Sequence, residues 1–579
     1  MKDGTFTSDH LLALHDRVAE ADDAIPRLRR FVLDLAVRGK LVAQDPSDEP
    51  AAELLKRIAK EKARLVKAGG LRASKAAEPV MGEVPFYLPI NWTWAAIGTV
   101  FIYDAGDKRD PRELDQSLWL LELEDVEKET GRLLERITAD QRESQSTKSQ
   151  FRAGDILYGK LRPYLNKVMV ADEPGYSTTE IVALRPYLPL CSGYCALALR
   201  RPDFVEYVTR LGQGTKMPRL RTEDAVVAPF PLPPLAEQQR IVAKVDELMA
   251  LCDGLQAARA GREAVRDRLT AATLTRLTAP ETDAETFPSH ARFALQTLPT
   301  LTTRAGQIKT LRQTILNLAV RGKLVEQDPA DEPAVELLGR IAKAKALRVK
   351  AGQIPKKADS VRDPVWGQAF CPSGWSEIAL GQVTDLVTSG SRGWGEFYSK
   401  TGPGFVRAQN IRFGKLRLDD LACVNPPSNS EGSRTQVVRN DLLIVITGAG
   451  VTNPALLDRD LGEAYVSQHV SLVRPSDTAM SPWLLHCLLA DEGGRAELVD
   501  RAYGAGKPGL NLDNIRNLTI PLPPLAEQHR IVAKVDALMA LCDQLEASLT
   551  TTSTTRSCLL EALLHEALGD SESTEAAWL

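Results

Sequence analysis

Apolar residues recur at spacings of four, three, four and three along Ile241, Val245, Leu248, Cys252 and Leu255. The same spacing returns along Ile531, Val535, Leu538, Cys542 and Leu545. It puts one stripe on a helix and is the a/d spacing of a coiled coil. A comparable seam opens the chain at Leu14, Val18, Ala21, Ile25, Leu28, Val32 and Leu35, with Pro26 predicting a kink or break inside it. Leu301, Ala305, Ile308, Leu311, Ile315 and Leu318 form a similar one. Between these stretches the pattern shortens. "DILYGKL" from Asp155 and "NDLLIVITG" from Asn440 are brief runs rich in β-branched or aromatic residues, which predicts strands. "PLPPL" at Pro231 and Pro521 is expected to close the globular part, since proline continues neither a strand ladder nor a helix interior. A helix from Ala236 to about Leu277 would be roughly 60 Å long.

The seams belong to a duplication. "PLPPLAEQQRIVAKVDELMALCDGLQA" (Pro231–Ala257) and "PLPPLAEQHRIVAKVDALMALCDQLEA" (Pro521–Ala547) agree at 23 of 27 positions. Leu28–Gly69 and Leu311–Gly352 match at 31 of 42 positions, and Trp92 and Trp375 keep the same offset. The chain therefore reads as two tandem halves of about 285 residues, a period far too long for a solenoid. Each half has an opening helical stretch, a basic helix such as "ELLKRIAKEKARLVKAG", a linker, a mixed region and a long closing helix. The helix after Pro234 runs straight on to the opening helix of the second half, and a short connection makes them antiparallel neighbours. The helix after Pro524 is left for the opening helix at the N-terminus. That pairing would close the chain about a pseudo-twofold axis.

Composition narrows the class without naming it. With 44% hydrophobic and 26% charged residues the 579-residue chain has a globular make-up, and about four domains is the length expectation. No apolar run approaches the roughly 20 residues of a membrane helix. The stretch "MKDGTFTSDHLLALHD" lacks a basic-then-apolar secretion signal. Eight scattered cysteines without a CxxC pair suit a reducing compartment and give no metal signature, so a cytoplasmic setting is expected. A net charge of −4 excludes a uniformly basic nucleic-acid binder, but not one with positive charge on one face.

The helical repeats are nearly identical and the segments between them differ, which suggests shared docking surfaces carrying two different recognition surfaces. "ILNLAVRGKLVEQDPADEPAVELLGRIAKAKA" and "PLPPLAEQHRIVAKVDALMALCD" resemble the conserved regions of specificity (S) subunits of type I restriction–modification systems. "GDILYGKLRPYLNKV…STTEIVALRP" resembles one class of their target-recognition domains, and "SGSRGWGEFYSKTGPGFVRAQNIRFGKL" another. The resemblance implies an α+β fold: two globular target-recognition domains held apart by two long antiparallel coiled-coil regions in a pseudo-twofold arrangement. It implies a helical region at 1–70, a recognition domain at 80–235, central helices at 236–355, a second recognition domain at 362–525, a closing helix at 526–570 and a tail at 571–579. It further implies that the chain does no chemistry and carries no cofactor. Each head would read half of a bipartite, asymmetric site on double-stranded DNA. Two methylation (M) subunits would dock on the helices, with S-adenosylmethionine, and two restriction (R) subunits would join through them, with ATP and Mg.

Local charge points to candidate residues. Lys148 to Val170 holds five Lys/Arg and one Asp, with Tyr158 and Tyr164 interleaved among Lys160, Arg162, Asn166 and Lys167. Ser391 to Leu418 holds six Lys/Arg and one Glu, including Arg392, Arg407, Gln409, Asn410 and Arg412. Cations neutralise phosphate, while Arg, Asn and Gln match base edges. "GQGTKMPRLR" (Lys216, Arg219) and "GAGKPGLNL" (Lys507, Asn511) occupy the same place in each half as Gly-rich basic loops. Set against this, a basic run is ordinarily a solvated face, an apolar stripe is ordinarily core, and "AEQ" before "RIVAKVD" reads as a helix start favoured by the dipole. "NPPS" from Asn425 lacks the aromatic of an adenine-methyltransferase loop and reads as a turn. "GAGKPG" lacks the Walker spacing, and no HExxH occurs. A fused methyltransferase or nuclease therefore has no visible cofactor loop or catalytic set. A helical adaptor with protein-binding heads and no DNA role is the alternative reading.

Overall fold

In the computed structural model the described residues are 6–18, 21, 23–68, 85–142, 145–212, 217–279, 285–354, 372–426, 432–502 and 509–569. They form two units, one of residues 1–261 with 552–579 and one of residues 262–551. Both divisions fall inside the two longest helices, Leu235–Thr278 and Leu525–Gly569. The first unit is therefore built from both ends of the chain, whereas the second is one contiguous stretch.

The helical layer of the first unit is built on Ala24–Val37, which buries Ile25, Leu28, Val32 and Leu35 as the seam predicts. The break in the opening helix precedes Pro26. The preceding helix ends at Val18, and Pro26 lies in the first turn of the next, where a missing N–H costs nothing. In the second unit the break separates Phe287–Leu301 from Ala305–Val320, so Leu301 and Ala305 do not continue one seam. Each opening helix meets both long helices. In the first unit Arg29 pairs with Asp253 and Arg27 with Glu561. In the second, Arg304 pairs with Glu263 and Asp267, and Arg312 with Asp543 and Glu546. The first stretch of each long helix is covered by its own unit. Ile241, Val245, Leu248 and Cys252 lie in one core with Leu28, Leu35, Tyr194 and Ala198, while Ile531, Val535 and Cys542 lie in another with Ile315, Trp483 and Cys487.

The heads share a four-stranded sheet despite their divergent sequences. In the first head the order is Phe101–Tyr103, Ile181–Pro186, Ile156–Gly159, Val168–Val170. In the second it is Thr384–Ser389, Val470–Pro475, Leu442–Val445, Pro454–Leu456. The sheets carry matching buried ion pairs. Arg185 grips Asp155 at 2.8 and 2.7 Å, and Arg474 grips Asp441 at 2.8 and 2.7 Å. The carboxylates are 3% and 1% exposed, so each relies on its arginine and a backbone N–H for compensation. The rest of each head differs. The first adds a sheet of Asp107–Arg109, Lys148–Phe151, Gly175–Ser177 and Trp119–Leu121. The second adds Ala422–Val424, Tyr398–Val406 and Ala464–Val466, with a hairpin of Ile411–Arg412 and Lys415–Leu416.

The proline segments correct one expectation. Pro229–Leu232 pairs with Thr93–Ala96, and Thr519–Leu522 with Ser376–Ala379, so Pro231 and Pro521 lie inside ladders. Both ladders have only two strands, and an edge position needs no N–H from the proline on its open side. Among the described residues, no helix is long and apolar enough to cross a membrane.

Candidate nucleic-acid interface

At the end of the central strand of each shared sheet, three segments are stitched together by backbone bonds. In the first head the Lys160 N–H donates to the Glu180 carbonyl (2.9 Å), and Leu220 N–H donates to the Lys160 carbonyl (3.0 Å). In the second, Ile446 N–H donates to the His469 carbonyl (2.9 Å), and Leu510 N–H to the Ile446 carbonyl (2.8 Å). Lys160 and Ile446, Glu180 and His469, Leu220 and Leu510 therefore hold equivalent places. The described flank of each Gly-rich loop is fixed beside the same strand end.

The side chains there are unlike. In the first head Arg219 donates to Glu180 in a bidentate pair at 3.0 and 2.9 Å, which raises the arginine's pKa. In the second, Thr447 Oγ1 and His469 Nδ1 lie 2.6 Å apart, with Gln468 exposed beside them. Thr447, Gln468 and His469 were not among the sequence candidates. Their signal was available in the anchors "ALRP" and "LVRP", which align the turn "TTE" with "SQH".

The predicted residues separate by the work they do. Tyr164 is 45% exposed on a turn entered through Arg162, whose backbone is left-handed (φ 52°) and whose N–H donates to the Pro218 carbonyl at 2.7 Å. Lys160 is half-buried at the junction. Arg392 and Arg412 are exposed. Lys216 and Lys507 lie outside the described residues, as do most of "GAGKPG" and the second half of "NPPS".

Four candidates make local bonds, and burial counts against two of them, Asn166 and Asn410. Asn166 is buried, takes a left-handed backbone (φ 51°) and donates to the Arg200 carbonyl, so it closes a turn and cannot reach a base. Asn410 is buried and clasps its loop, accepting from Arg407 N–H and donating to the Arg417 and Asp420 carbonyls. Lys167 Nζ donates to the Leu123 carbonyl at 2.6 Å, and burial lowers its pKa. Asn511 caps the helix Leu512–Arg516 by accepting from Asn514 N–H. The polar and amide residues of a basic window satisfied local backbone first, as Asn does in turns and caps. Tyr158 and Lys148 of the same window are also buried.

In the second head a cleft of about 160 Å³ is lined by Gln409, Asn410, Arg412, Arg417, Asp419 and Asp420. Asp420 organises it, accepting from Gln409 Nε2 at 3.1 Å and from Arg407 at 3.4 Å, while its carbonyl accepts from Arg407 at 3.0 Å. A bidentate donor, an amide and a carboxylate held in one opening can distinguish base edges by donor and acceptor pattern. Among the described residues, no group of three or more His, Cys, Asp or Glu is placed to hold a metal ion.

Duplicated helices and a sheet order repeated in two heads that otherwise differ define an α+β protein. Residues 431–552 match the type I restriction modification DNA specificity domain. The chain is 30% identical over 566 residues to the EcoAI specificity subunit of Escherichia coli, covering 94% of each chain, and 30% identical over 571 residues to the EcoEI specificity subunit of the same organism, again 94% of each. A solved chain from work on complex assembly and conformational transition of the type I R-M system aligns with a TM-score of 0.52 at 21% identity, over 83% of this chain and 99% of that one. The chain belongs to the family of type I restriction enzyme specificity subunits.

Proposed function

We propose that this chain is a non-catalytic subunit that gives a type I restriction–modification complex its DNA sequence specificity. Each head reads one half of a bipartite, asymmetric target. The helices of 1–70, 236–355 and 526–570 dock two methylation subunits and set the gap between heads at 80–235 and 362–525. S-adenosylmethionine, ATP and Mg belong to partner subunits, two restriction subunits join through the methylation subunits, and the complex works in the cytoplasm. One observation carries the reading: an identical backbone junction presents Lys160, Glu180 and Arg219 in one head and Thr447, Gln468 and His469 in the other. A common frame with unlike polar groups is what two half-sites of different sequence require.

The test is methylome sequencing of a host that expresses this chain with its methylation subunit, repeated after exchanging residues 80–235 for another recognition domain. The expected result is a two-part motif in which only one half changes. A motif unaffected by the exchange overturns the reading. Binding that is insensitive to salt and sequence supports the protein adaptor instead, because phosphate contacts give steep salt dependence.

A further inference from the structure

Several residues identical in the two halves meet in one place in each unit. In the first unit Trp92 Nε1 donates to Glu237 Oε2 at 2.9 Å, and in the second Trp375 Nε1 donates to Glu527 Oε2 at 3.0 Å. Both glutamates are 1% exposed. One helical turn on, Arg240 holds Asp48 at 2.6 Å and Arg530 holds Asp331 at 2.7 Å. Gln238 and Gln528 donate to the Pro233 and Pro523 carbonyls. On its other side each indole meets the head edge-on, Trp92 against Tyr194 and Trp375 against Trp483. Tyr194 and Trp483 in turn donate to the Pro231 and Pro521 carbonyls. Gly39 and Gly322 complete the joint. Both have φ 67°, and a Cβ there would lie 2.4 Å from Pro89 in one case and 2.7 Å from Pro372 in the other. The heads differ, yet the indole–glutamate, glutamine–proline and arginine–aspartate contacts of each seat recur; the seats part at the second glutamate oxygen, which Gln44 reaches in the first unit, whereas Gln327 donates to the Ser373 carbonyl in the second.

Ordinary core packing explains a buried tryptophan; it does not explain why its N–H is spent on a buried carboxylate in both copies. A buried glutamate is costly unless paired, and replacing it with an apolar side chain of similar volume would pack as well. What the hydrogen-bonded side chain adds is direction: the indole and the helix must keep one geometry for the buried acceptor to be satisfied in each unit, and in the first unit Gln44 holds the second oxygen as well. We propose that Trp92–Glu237 and Trp375–Glu527 are positioning clasps that hold each head at one angle on its long helix and so fix the spacer length the protein accepts. This rests on the proposed reading of a bipartite target. The clasp residues touch no base; they act through the heads they orient.

The experiment uses the full chain co-expressed with its methylation subunit, challenged with a library in which both half-sites are constant and the spacer varies. Wild type should methylate one spacer length. Trp92→Phe keeps the ring and deletes the N–H, stranding one buried carboxylate oxygen. It should reduce discrimination against spacers one base longer or shorter by roughly tenfold, the size of one such hydrogen bond, with half-site preference unchanged. Trp375→Phe should do the same, and Glu237→Gln, whose carbonyl still accepts from the indole and whose NH2 donates to the Gln44 carbonyl oxygen once that exposed amide turns over, should stay near wild type. If Trp92→Phe is insoluble, Gln44→Ala, at an exposed residue, makes the same cut from the other oxygen. Strict spacer selectivity retained by these variants, or half-site preference altered as much as spacer preference, overturns the clasp. A wild type without a two-part, fixed-spacer motif removes the functional reading beneath it, and the clasp's role with it.

Discussion

Asp34 lies half-buried in the helix Ala24–Val37, and its carboxyl pKa is raised from 3.8 to about 6. Burial is the main cause. Arg38 and Arg30 pull the pKa down, and Asp203 pushes it up. The raised value means that the folded state holds the proton more tightly than the unfolded chain. No penalty exists below pH 4; it grows as pH rises from about 4 to 6 and is complete above that. A shift of that size corresponds to a ceiling of about 3 kcal/mol, and screening at a half-exposed site takes it to roughly 1–2 kcal/mol. The second copy carries the natural control. Asn317 occupies the same position and accepts from Glu492 N–H at 3.2 Å and from Gln313 at 3.3 Å. Asp34→Asn should therefore stabilise the first unit at pH 8 and hardly change it at pH 4. Hydrogen exchange of peptides from residues 24–37, corrected for intrinsic rates, should slow roughly 5- to 30-fold at pH 8. Equal protection of variant and wild type at pH 8, or a larger gain at pH 4 than at pH 8, would refute the argument.

Arg474→Ala leaves the Asp441 carboxylate buried without its partner and should destabilise the second head by about 3–5 kcal/mol, read as lost exchange protection in Leu442–Val445; Arg474→Met with Asp441→Leu should recover most of it. Asp420→Ala frees Gln409 from its anchor and leaves Arg407 only the backbone carbonyl of residue 420. It should alter the sequence preference of the second head in a methylation library while costing about 0–1 kcal/mol of stability; unchanged preference would remove the cleft from the reading surface. Arg412→Ala, at an exposed cation, should reduce the slope of log affinity against log salt by about 0.9 with no change in preferred sequence; a changed sequence would mean base contact instead.

The helices were legible because their information is local. Seam spacing, the proline at Pro26 and the repeat itself located the two long helices and Ala24–Val37 to within a few residues, but not the break between Leu301 and Ala305. The shared sheet was partly legible, since "DILYGKL" and "NDLLIVITG" each start a strand with the buried aspartate that its arginine later claims. The junction residues Gln468 and His469 were hidden because a turn between two strands has no periodicity of its own. Asn166 and Asn410 misled for a related reason: an amide in a basic loop serves a base edge or its own backbone equally well, and only the fold decides. "AEQ" reads as a helix start and lies in the first turn of each long helix; that its glutamate also meets a tryptophan 145 residues away in sequence is something no local pattern spans.

The first unit takes part of its core from the far end of the chain: Leu560, Leu563 and Leu564 bury against residues placed before position 260. On the ribosome, that core stays open through the making of the entire second unit. An N-terminal fragment released early would expose the apolar floor those leucines cover, marking it for chaperones and proteases. Grafting experiments inherit the same rule, for a first half expressed alone needs residues 552–569 supplied on a second chain.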